Sequence, residues 1–151
     1  RKNYSPRAMA LTGGPSNKEF GEILGPDAED LFGGTSWIDA TREPMAYDFE
    51  FRYRRAFGIG ADSNAAGGYA AGEVLEAAVR LAGTLNKETV RQQLYEMSFL
   101  SIMGRYKVDE TGKQVGKDIY LIQWQNDRRR LILPQKIAEK KPIPFTPWDQ
   151  R

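Results

Sequence analysis

Apolar and polar residues change their spacing along this chain, and each change predicts a change of element. Ala8-Met9-Ala10-Leu11 is a short apolar run that stops at Thr12-Gly13-Gly14-Pro15-Ser16-Asn17, a dense cluster of turn formers. A buried parallel strand with a loop at its carboxyl end has this pattern. Ser16 or Asn17 then stands where a helix cap belongs. Phe20, Ile23 and Leu24 share one face, and Gly25-Pro26 is the stop. Leu31-Phe32-Gly33-Gly34-Thr35-Ser36-Trp37 predicts a second strand, whose paired glycines permit a bend or a close backbone approach.

From Met45 to Phe57 two rhythms compete. Tyr47, Phe49, Phe51 and Tyr53 alternate like a strand, whereas Met45, Phe49, Tyr53, Ala56 and Phe57 keep helical spacing. Pro44 suits a first helical turn and Gly58 an end, and the stretch far exceeds the usual strand of about 5–6 residues, so a helix is expected. A second helix follows, capped by Ser63 or Asn64, with Ala71, Val74, Leu75, Ala78 and Leu81 as its apolar stripe and Gly83 at its close. Asn86 caps a third, in which Leu85 and Val90 have the spacing of a hydrophobic staple and Val90, Leu94 and Met97 form the buried face.

The rhythm then becomes that of strands. Tyr106 and Val108 alternate with Lys107 and Asp109, and Glu110-Thr111-Gly112 is a turn. Asp118 opens a run in which Ile119 to Trp124 is apolar on both faces, so that strand is expected to be covered on both sides. Asn126-Asp127 turns the chain into Leu131-Ile132-Leu133. Pro134 ends the sheet, and the prolines at 142, 144 and 147 predict an extended tail lying on a surface rather than in a core. The layout is α/β.

Composition narrows the chemistry. The 151 residues include 22 basic and 20 acidic side chains, a net charge of +2, too even for an ordinary nucleic-acid binder. Arg128-Arg129-Arg130 is the one compact basic run and reads as a solvated hairpin tip, with a phosphate or partner contact as the alternative. There is neither Cys nor His. That removes disulfides, thiol nucleophiles, imidazole acid–base work and thiolate or imidazole metal sites. No carboxylate pair stands in a context for acid–base catalysis. Gly58-Ile59-Gly60 follows a predicted helix and not the strand that a phosphate loop requires. No catalytic residue, metal or cofactor is expected. No secretory signal is visible at Arg1-Lys2-Asn3-Tyr4, and the chain reads as a piece of something longer.

Motifs in order along nearly the whole chain resemble one family. They are Ala10-Leu11-Thr12-Gly13-Gly14-Pro15 with Phe20 and Leu24-Gly25, then Gly33-Gly34-Thr35-Ser36-Trp37, then Gly68-Tyr69-Ala70-Ala71 with Val74-Leu75 and Ala77-Ala78. Gly104 to Asp109, Gly112, Gln123 and Pro147-Trp148-Asp149-Gln150-Arg151 complete the set. Together they resemble the carboxy-terminal part of the branched-chain amino-acid-type solute-binding proteins of ABC importers. The resemblance implies a partial type I periplasmic binding fold, in which two α/β lobes close on a solute in the cleft between them. It implies that residues 1–37 end the second lobe at a hinge strand, 38–103 are the returning helical part of the first lobe, and 104–151 are the closing hairpin and tail. It also implies a periplasmic location, permease partners, no catalysis, and delivery of an amino acid, amide or aromatic carboxylate. A ligand sensor with the same fold is the alternative, and an α/β enzyme is disfavoured by the missing His and Cys.

Candidate ligand contacts are Thr12, Gly13 and Gly14, in a loop beyond the carboxyl end of a strand. Ser63 and Asn64 stand at a helix start, and Trp37 is either a stacking ring or lobe core. Members of the family that bind amino acids often carry an acid in the first loop to hold the ammonium group. Here two glycines stand instead, which weakens the case for a simple α-amino acid. A partial first lobe would expose strand edges and apolar helix faces, so self-association or assembly with a missing portion is expected.

Overall fold

The computed structural model describes residues 5–37, 44–117 and 119–150. The start of the chain at Arg1–Tyr4, the expected boundary at residue 38, Asp118 and Arg151 lie outside them. The chain divides into two compact units, Arg1–Ala40 with Ile119–Arg151, and Thr41–Asp118. The expected segment 104–151 is therefore shared between them.

The first unit is built on a sheet of order β1-β2-β5-β6. Its strands are β1 (Ala10–Leu11), β2 (Phe32–Thr35), β5 (Tyr120–Trp124) and β6 (Arg129–Leu133). β1 and β2 are parallel, with Ala10 opposite Phe32 and Leu11 opposite Gly33. β2 and β5 are antiparallel, and β5 and β6 form a hairpin. Asn126 and Asp127 make its turn with positive φ, the backbone conformation a tight hairpin demands and that Asn and Asp tolerate best. Core residues here include Leu31, Ile122, Trp124 and Leu131.

Several expectations are corrected. β1 is a two-residue edge strand with both residues exposed, because it pairs with β2 alone among the described residues. Helix α1 (Lys18–Leu24) turns Phe20 toward Trp124, at 6.1 Å between ring centroids, but leaves Ile23 79% exposed. Asn17 occupies its N-cap position without a side-chain bond, and the Ser16 hydroxyl donates backwards to Gly13 O at 2.7 Å. The tail does reach the core: Phe145 is 4% exposed. Arg129 lies within β6 and its guanidinium donates to Ser16 O, so only Arg128 fits the solvated-tip reading fully.

The second unit carries α2 (Pro44–Phe57), α3 (Ser63–Ala82) and α4 (Lys87–Glu96), then a small sheet of β3 (Phe99–Ser101) and β4 (Gly104–Tyr106). Helical spacing wins between 44 and 57, with Ala46 and Phe49 buried and Phe49 packed on Tyr69 at 4.7 Å. α3 ends at Gly83 in the left-handed conformation, as expected. Its buried stripe is Ala66, Ala70 and Ala78, with Val74 packed beside it, while Leu75 and Leu81 are exposed. Small alanines let α3 approach its neighbours, and the bulkier leucines face away. Asn86 caps α4, accepting from the Glu88 and Thr89 amides at 3.1 and 3.2 Å. The staple does not form: Val90 is buried, but Leu85 is 82% exposed. β4 pairs with β3, a strand the sequence pattern did not mark, and not with β5.

Glycine substitutions test these contacts. A Cβ on Gly21 would lie 2.2 Å from the Trp124 ring, whereas one on Gly68 would meet nothing within 4 Å. Gly21→Ala is expected to destabilise by about 1–3 kcal/mol through overpacking. Gly68→Ala, in the interior of α3, is expected to stabilise by about 0.4–1 kcal/mol. Chemical denaturation of both variants beside the parent checks the opposite signs.

Candidate functional site

The loop from Thr12 to Asn17 is held from behind and open in front. Thr12, Gly13 and Gly14 are exposed, while Pro15 and Ser16 are buried. Pro15 seats on β2 because Gly33 has no side chain: a Cβ there would come within 2.6 Å of Pro15 Cβ. The Trp124 indole N–H donates to Pro15 O at 2.9 Å, and Arg129 holds Ser16 O. Gly14 has the Phe20 ring 3.1 Å from where its Cβ would stand, so this position too requires a small residue.

Sheet direction sets which end this loop occupies. β1 runs parallel to β2, so Thr12–Gly14 follows Leu11 at the level of Gly34 and Thr35. That is the end of β2 from which the chain leaves for the helical unit, and Thr35 faces Tyr120, where it returns. The loop thus stands beyond the carboxyl ends of two parallel strands, the position at which open α/β sheets bind ligands.

Ser63 and Asn64 belong to the other unit. They form the first turn of α3 rather than its cap. Asp62 is the cap, its carboxylate accepting from Ala65 N at 2.7 Å. The Asp62 carboxylate thus takes the place at this helix start that the sequence pattern assigns to Ser63 or Asn64. Trp37 is 2% exposed, and its backbone N–H donates to Thr35 Oγ1, whose hydroxyl in turn donates to Trp37 O. Its ring is buried among the described residues.

Sequence reasoning missed a buried polar cluster on β5. The Gln123 amide donates to Asp30 O at 2.9 Å and to Ile143 O at 2.8 Å, and its Oε1 accepts from Ile143 N at 2.9 Å. Gln125 donates to Gln123 Oε1 and to Lys141 O. Two glutamines two residues apart, Gln123 in an otherwise apolar strand and Gln125 just past its end, were the available signal, since a buried amide needs partners.

A family model described as a periplasmic binding protein matches residues 4–129. The chain belongs to that family. A leucine-binding protein from Thermotoga maritima has a similar fold at a TM-score of 0.70 and 24% identity, over 82% of this chain and 35% of that one. The branched-chain amino acid transporter substrate-binding protein from Streptococcus pneumoniae, solved with isoleucine, gives 0.71 and 16%, over 84% and 37%. A solute-binding protein from R. palustris, solved with benzoate, gives 0.64 and 18%, over 85% and 34%. This periplasmic binding protein chain thus has the type I fold in part and spans little more than a third of the length of these relatives.

Trp124→Phe keeps an aromatic ring while removing part of the buried indole's volume together with its N–H donor. Leaving Pro15 O without it is expected to cost about 1–3 kcal/mol, read as a lower denaturation midpoint at unchanged m-value.

Proposed function

We propose that this chain is the carboxy-terminal part of a non-catalytic solute-binding protein that delivers a small carboxylate to the permease of an ABC importer from the periplasmic side of the membrane. The loop Thr12-Gly13-Gly14, exposed at the carboxyl end of the parallel strands and fixed from behind by Pro15 and Trp124, carries the reading. Family membership supports the transport role. Gly13 and Gly14 leave the loop without an acid for an α-ammonium group, and they let backbone N–H groups approach a carboxylate closely. An aromatic or other carboxylate lacking the ammonium is therefore preferred over a simple amino acid. A relative of the same fold was solved with benzoate.

Calorimetric titration of the full-length protein with benzoate, leucine, isoleucine and urea tests this. Benzoate-class acids are expected to bind and to raise folded-state stability by about 2.7 kcal/mol at 100 times the dissociation constant. Tight binding of leucine with none of benzoate would overturn the ligand class. Binding of none of the four would count against the transport reading.

The chain alone is expected to self-associate. Phe57, Leu75, Leu81 and Leu85 are exposed large apolar residues on the helical unit, and such surface seeks cover. Light scattering on the 151-residue chain should give a mass above the monomer, and a monodisperse monomer with a cooperative melt would contradict it.

A further inference from the structure

The tail after Pro142 is bound to the first unit by groups that are not part of any strand ladder. Ile143 exchanges hydrogen bonds with the Gln123 amide in both directions, at 2.8 and 2.9 Å. Phe145 N–H donates to Arg7 O at 3.1 Å, and its ring is buried, with Trp148 edge-on at 4.9 Å. Thr146 N–H donates to the Asp30 carboxylate at 2.8 Å. Gln123 itself is 0% exposed.

Two of these anchors lead to the loop at Thr12–Gly14. Arg7 lies in the segment that enters β1, and β1 has only two residues with which to hold itself on β2. Met9 O accepts from Phe32 N at 2.9 Å, so the tail's bond to Arg7 is a second tether just upstream. The other route runs through β5. Successive side chains of a strand point to opposite faces, so Gln123 and Trp124 act on opposite faces of the same short strand. Gln123 grips the tail, and Trp124 grips Pro15 O behind the loop. Asp30, which receives Thr146, also donates a backbone bond to this strand, its N–H reaching Trp124 O at 2.9 Å.

We propose that the carboxy-terminal tail is a brace that positions the Thr12–Gly14 loop, with Gln123, Asp30 and Phe145 as positioning residues. The inference builds on the reading of that loop as a solute contact. A loop that must present its backbone to a small ligand gains affinity from being held in place before the ligand arrives. The brace supplies this hold at the incoming strand and from beneath the loop.

Amide hydrogen exchange on the full chain, without ligand, tests the brace separately from the binding reading. Phe145→Ala removes the apolar anchor. Asp30→Asn is the milder change, since Asn tolerates the positive φ at this position and keeps an acceptor for Thr146 while losing the charge. Both are expected to speed exchange at Ile143 and Thr146 and, with them, at Ser16, Asn17 and Phe32, by about tenfold in Phe145→Ala and less in Asp30→Asn. Amides of α4 should keep their protection, which separates a freed tail from global unfolding. Faster exchange in the tail with unchanged exchange at Ser16, Asn17 and Phe32 would overturn the brace. Parallel titration with benzoate should show weaker binding by both variants. If the parent binds no benzoate while exchange couples tail to loop, the ligand reading fails and the brace stands.

Discussion

A central strand grips a different segment on each face, and the first unit depends on that division. Trp124 faces α1 and the loop before it, where Gly21 gives it room and Pro15, seated against Gly33, a carbonyl to hold. Gln123 and Gln125 face the tail and satisfy its backbone groups with side-chain amides. The apolar contribution comes from the ring and from Ile122, Leu131 and Phe145. The amides contribute direction: a buried Gln left without partners costs more than an ordinary hydrogen bond gains, so the tail has one favourable place to lie. A core of this kind fixes a loop without filling the space in front of it.

The helical unit is held differently. Its contacts are alanine against helix and strand, reinforced by caps at Asp62 and Asn86, and its polar groups are mostly spent on local turns. The Asp109 carboxylate illustrates the local kind. It accepts from the Thr111 hydroxyl at 2.7 Å and from the Thr111 and Lys113 amides, and these bonds, the Thr111 hydroxyl foremost, hold its pKa below the usual carboxylate range. Such a turn fixes the chain between β4 and the return to the first unit without calling on distant residues.

Much of this was legible in the sequence where local rules govern. Gly83 and Asn86 mark helix ends through their own backbone and side-chain chemistry, and Pro44 to Phe57 reads as a helix by length. The family was legible through motif order, and the loop at Thr12–Gly14 through its turn residues after an apolar run. Burial was less legible, because hydrophobic spacing names a face but not what covers it. Ala8 to Leu11 looked buried and is a sheet edge. Leu75 and Leu81 looked like the packed stripe, yet the alanines beside them take that place. The partner of β4 and the seat of the tail depend on contacts far apart in sequence, as between Asp30 and Thr146, and no local pattern encodes them.

The central claim is that the two-glycine loop is the carboxylate-binding element of a solute-binding protein. The most direct measurement is amide chemical-shift mapping of the full-length protein titrated with benzoate. Saturable shifts concentrated at Thr12, Gly13 and Gly14, with none in α4, are the result predicted. Saturable binding that leaves those three amides unmoved would contradict it.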